Sequence, residues 1–109
     1  MWEEIQAAQS DLDLALSKAR ERGQKLTIAE AHYYSVKDTR VRELMDEGFS
    51  ASAIQMMIKG EPGVNEAMQE FHDMQVLYKN ACEAIQVYKR RFDFLKDEYQ
   101  REWTKQDGN

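Results

Sequence analysis

The chain has 109 residues, 15 Lys+Arg against 20 Asp+Glu for a formal net charge of −5, one Pro and five Gly. That length allows one domain with a modest core, near the size at which small helical proteins recruit a second copy. The acidic balance excludes a global positive field toward nucleic acid or anionic membrane, and the sparse Pro and Gly argue for long helices over a sandwich or a disordered tail.

The first predicted element is a helix over residues 3–47. Ile5, Ala8, Leu12, Ala15 and Ala19 recur at alternating three- and four-residue spacings, and Tyr33 or Tyr34, Val36, Val41, Leu44 and Met45 continue the stripe. Gly23 costs about 1 kcal/mol in a helix interior, and Thr27 followed by Glu30 has the spacing of a capping box. The reading is therefore one long helix with an optional kink near 23–27. The alternative, a true break there, gives a compact four-helix bundle.

Residues 48–62, GFSASAIQMMIKGEP, form the corner. Gly48 reads as a C-cap, Ser50 or Ser52 as an N-cap, and residues 51–59 as a two-turn helix ended by Gly60. Its Ile54, Met56, Met57 and Ile58 are too apolar for a solvated connector and are expected to plug the end of the fold. Pro62 suits the first turn of the next helix, predicted over 63–105, with KQDGN frayed at the end. Val64, Ala67, Phe71, Met74, Tyr78, Ala81, Ile85, Tyr88, Phe92, Leu95 and Tyr99 hold a and d positions over five heptads without a slip. A 43-residue helix is about 64 Å long, so its partner must be comparably long. The predicted fold is all-α, an elongated antiparallel helical hairpin, coiled-coil-like, centred near residue 55. Leu77, Ala84, Val87 and Phe94 lie beside the a/d line and widen the stripe, which predicts a homodimer of two hairpins.

Catalytic signatures are missing from the pattern. His32 and His72 would need Glu three residues before them for a di-iron site, but Ala29 and Gln69 stand there. Cys82 has no nearby histidine to activate it and reads as a small buried thiol. GEPG lacks the preceding strand and following Lys-Ser/Thr of a phosphate loop. No metal, cofactor or small-molecule substrate is implied, and a non-enzymatic protein is expected. The acidic N-terminus is unlike a signal peptide, and no apolar run approaches a membrane span. The expected location is cytoplasmic, without membrane partners.

Charge points to two surfaces. Around the corner, Asp38, Glu43, Asp46, Glu47, Glu61, Glu66, Glu70 and Asp73 outnumber Arg40, Arg42 and Lys59. This acidic end, with Met56 and Met57 as apolar anchors, suits docking on a basic, nucleic-acid-handling protein. In a hairpin centred near residue 55, Lys18, Arg20, Arg22 and Lys25 come level with Lys89, Arg90 and Arg91. That basic belt offers the alternative of direct nucleic-acid binding. A third reading is a structural coiled-coil assembly protein.

The segments AEAHYY (29–34), LMDEGFSASAIQMMIKGEPGVNEA (44–67), LYKNACEAI (77–85) and REW (101–103) resemble small helical proteins of tailed phages and prophages. Genes for these often lie in replication and recombination clusters. The resemblance implies a phage-encoded accessory factor in the host cytoplasm, acting by contact in DNA replication or recombination, or inhibiting a host defence nucleic-acid enzyme. It carries over no binding residues.

Overall fold

The computed structural model describes residues 1–107, and its fold is all-α: an antiparallel helical hairpin with a short corner helix. The elements are α1 (Trp2–Asp46), α2 (Ala51–Ile58) and α3 (Pro62–Asp107). Of the expected frayed KQDGN end, Lys105 to Asp107 are helical, and Gly108 and Asn109 lie outside the described residues. No described helix is long and apolar enough to cross a membrane.

α1 is continuous through residues 23–27, so the break that would give a four-helix bundle is not realised. The Thr27 hydroxyl donates to the Gly23 carbonyl at 3.1 Å, the back-bond of a threonine inside a helix rather than a cap. Gly23 has a packing reason. A Cβ at that position would lie 3.1 Å from Cε2 of the Tyr78 ring. The missing side chain lets the ring approach the backbone.

The corner is built by local hydrogen bonding. Gly48 adopts φ +94°, a left-handed conformation that suits glycine. Its N–H donates to the Met45 carbonyl at 3.0 Å, and the Phe49 N–H donates to the Leu44 carbonyl at 3.2 Å. This pair of bonds is a Schellman stop, which satisfies carbonyls left open at the helix end. Ser50 caps α2, its hydroxyl accepting from the Ala53 N–H at 3.2 Å. Pro62 is the first residue of α3, where a missing N–H costs nothing.

The chain divides into two compact units, each pairing a stretch of α1 with a stretch of α3. The first comprises Met1–Glu21 and α3 from Lys79 onward. Its buried residues are Ile5, Ala8, Ala15, Ala19 and Ala81, so most of its closed seam is alanine. Trp2 meets Tyr99 at a ring-centroid distance of 5.7 Å, and Tyr99 meets Trp103 at 6.1 Å. Ile85, Tyr88, Phe92 and Leu95 are half-buried.

The second unit is Arg22–Tyr78 and contains the corner. Leu44, Ile54, Ile58 and Val64 form its core, with Tyr33, Val36, Val41 and Met57 packed against them. Leu44 is completely buried. The expected plug is therefore formed by Ile54 and Ile58, helped by Met57, whereas Met56 is 77% exposed. Tyr33 packs on Phe71 at 5.8 Å. Three rings of the a/d seam, Phe71, Tyr78 and Tyr99, thus lie against a ring or a glycine of the facing helix.

Candidate docking groove at the helical corner

The register of the second unit differs from the one expected. Gly23 faces Tyr78, Tyr33 faces Phe71, and Arg40 Nε pairs with Glu61 at 3.0 Å. Residue numbers that come level therefore sum to about 101–104, rather than the 110 of a hairpin centred on residue 55. The start of α3 stands beside residue 40, and α1 runs on past it by about four to seven residues, roughly 6–10 Å. α2 lies on this overhang, with Ile54 and Ile58 against Leu44.

An overhang with a short helix across it leaves a groove. Its α1 wall is the four-residue ladder Tyr33, Lys37, Val41 and Met45, which shares one helix face. Phe49 follows from the turn, Ile54, Gln55, Ile58 and Lys59 from the α2 segment, and Val64, Asn65 and Met68 from α3. The groove has a volume of about 720 Å³, inside the range of pockets that take ligands. Met45 is 61%, Phe49 43% and Met68 37% exposed. Methionine and phenylalanine side chains present there form a pliable apolar surface.

Polar groups edge this surface sparingly. The Lys37 ammonium sits 5.8 Å from the centroid of the Tyr33 ring. The Asn65 side-chain amide donates to the Lys59 carbonyl at 3.1 Å, tying α3 to the end of α2. The groove lining supplies apolar contact surface and two cations, Lys37 and Lys59.

None of the acids predicted at this end lines the groove. Arg40 takes two of them, Glu43 at 3.0 Å and Glu61 at 3.0 Å. These hydrogen bonds, Glu43 first, raise the Arg40 pKa above its ordinary value. Asp73 accepts from the Gln69 amide at 3.0 Å. Asp38, Asp46, Glu47, Glu66 and Glu70 are exposed. Of the two proposed anchors, Met56 is exposed and Met57 is half-buried against the core.

The basic belt is not brought level. In the first unit Trp2 lies against Tyr99, which puts Lys89 beside about residue 12. Lys18 and Arg20 stand roughly 9–15 Å along the axis from Lys89, Arg90 and Arg91. Arg22 and Lys25 belong to the second unit, where Arg22 Nη1 donates to the Leu77 carbonyl at 3.1 Å. The half-buried Arg22 is occupied in holding its helix to α3.

Elsewhere, His72 stacks on Phe71 with centroids 6.0 Å apart, and its Nδ1 lies 3.1 Å from the Gln75 side-chain oxygen. His32 is exposed, and Cys82 is half-buried rather than buried. Among the described residues no group of three or more His, Cys, Asp and Glu could hold a metal ion. Sequence reasoning missed Lys37, Phe49, Lys59 and Met68 as groove residues. Phe49 and Met68 are large apolar residues off the a/d line, the one signal that marked them.

The class defined by these features is an all-α hairpin with an apolar groove at its corner. Comparison with protein-family models, curated proteins and solved structures finds no match to the chain.

Proposed function

We propose that this chain is a non-enzymatic binding protein whose corner groove docks an apolar segment of a protein partner. The observation that carries the reading is the groove itself: an open apolar surface of about 720 Å³, edged by few polar groups, as binding sites are. Exposed Met45 and Phe49 supply apolar anchors of types enriched at interface cores. Asp38, Asp46, Glu47, Glu66 and Glu70 would meet basic flanks of that partner and steer its approach. The setting, a phage accessory factor in DNA replication or recombination or an inhibitor of a host defence enzyme, rests on the resemblance described above. So does its place in the cytoplasm.

The test is photo-crosslinking from Phe49 replaced by a benzophenone amino acid, in lysate of the cell that expresses the chain, followed by mass spectrometry. One protein should be trapped. Its capture by the tagged chain should be lost in a Met45→Glu and Phe49→Glu double variant, should weaken with added salt, and should weaken in Glu66→Lys and Glu70→Lys. Capture that survives the groove substitutions removes the groove from the function. Capture indifferent to the charge reversals removes the acidic flanks.

A further inference from the structure

The first unit is short of core. Among the described residues, its buried side chains apart from Ile5 are the alanines Ala8, Ala15, Ala19 and Ala81. A buried methyl-sized group contributes about 0.8 kcal/mol, against about 1.5–3 kcal/mol for a large apolar side chain. The larger seam residues Ile85, Tyr88, Phe92 and Leu95 are only half-buried. On the outer side of α3, Val87 and Phe94 are each 62% exposed. Two helices side by side cover each other along one line, and bundles of this kind close their cores with a further layer of helices.

We propose that a second copy of this chain supplies that layer. It packs antiparallel on the α3 stripe Ala84, Val87, Arg91 and Phe94, about a two-fold axis near Lys89. The stripe is self-complementary about that point. Ala84 and Phe94 are equidistant from residue 89, and so are Val87 and Arg91. The two-fold therefore sets Phe94 of each copy on Ala84 of the other, large on small, as interdigitating layers require. Val87 receives the aliphatic stem of Arg91 from the other copy, whose guanidinium stays at the rim. Glu83, one helical turn from Val87, is placed to meet it. Lys89 causes no like-charge clash, because it lies about 160° around the helix from both Val87 and Arg91.

The area is consistent with such a pair. At roughly 150–250 Å² per large side chain, the exposed parts of Val87 and Phe94 bring on the order of 200 Å² of apolar surface per copy. A standard interface buries about 800 Å² per partner, a little over half of it apolar. These two residues thus provide nearly half of the apolar share, and Ala84, the Arg91 stem and the neighbouring helical turns provide the rest. The contact uses none of the corner groove residues, so it stands or falls independently of the docking function.

Light scattering on the full chain, over a range of concentrations, tests the proposal. The expected mass is twice the 12.8 kDa of one chain. A Val87→Ser and Phe94→Ser double variant should raise the dissociation constant at least tenfold. Because both side chains are exposed within one copy, each copy should keep its helix content by circular dichroism. A second measurement covers the case in which helix is lost. In a Cys82→Ala background, Ala84→Cys and Phe94→Cys chains are mixed and oxidised with diamide. Residue 84 should cross-link to residue 94 in preference to 84–84 or 94–94 pairs. A single-chain mass at every concentration overturns the proposal. So does a dimer unaffected by the double substitution, or preferential 84–84 and 94–94 linkage.

Discussion

Gly23→Ala places a methyl group between α1 and the Tyr78 ring, and the two consequences oppose one another. In an exposed helix interior the change stabilises by about 1 kcal/mol, because alanine gives up less backbone entropy than glycine. Here the new Cβ would stand 3.1 Å from Tyr78 Cε2, whereas carbon atoms prefer about 3.5–4.0 Å. The ring must retreat by roughly 0.4–0.9 Å. Tyr78 is 37% exposed, so it can move, at the cost of part of its packing. The expected net gain in the intact chain is below about 0.5 kcal/mol. With Tyr78→Ala the obstacle is gone, and Gly23→Ala should recover its full gain of about 1 kcal/mol. Urea unfolding of the four chains of this cycle, at one fixed protein concentration, measures the coupling as a difference of about 0.5–1 kcal/mol. Equal gains in both backgrounds, to within about 0.3 kcal/mol, would refute the claim that Gly23 is there to admit the ring.

The remaining expectations concern the corner. Leu44→Ala removes the one fully buried large side chain among the described residues and should cost about 2–5 kcal/mol, read from urea midpoints at unchanged m-value. Gly48→Ala forces a side chain into φ +94°. It should lower stability by about 1–2 kcal/mol without altering the circular dichroism of the folded protein. Ser50→Ala removes the cap of α2 at about 1 kcal/mol. Amide exchange should accelerate in residues 51–58 more than in the long helices.

Much of the helical architecture was legible from local chemistry. The unbroken heptads from Val64 to Tyr99 specify a long helix with one apolar seam, and Gly48, Ser50 and Pro62 are residues whose backbone preferences stop one helix and start the next. Thr27 and Gly23 left a break open as the alternative to one long helix, because a capping box and a helix-breaking glycine look the same in one dimension as a back-bonded threonine and a packing notch. The difference is the Tyr78 ring, which belongs to a residue 55 positions away.

The acidic end was legible as composition, but its internal arrangement was not. Arg40 draws in Glu43 and Glu61, a choice made by the meeting of α1 with the start of α3. Met56 and Met57 are adjacent and chemically alike, yet the rotation of α2 exposes one and packs the other on Leu44, Ile54, Ile58 and Val64.

What the amino-acid sequence determined by itself is the set of helices, their stops, and the face each one buries, since these depend on period and on backbone preference. The level at which α1 and α3 meet was decided only in three dimensions. A heptad seam repeats along its axis, so sliding one helix by seven residues still brings apolar positions together and leaves the pattern unchanged. Particular fits break that degeneracy: Tyr78 over Gly23, Tyr33 on Phe71, and Arg40 on Glu61. That register leaves α1 overhanging the start of α3, and the overhang makes the groove.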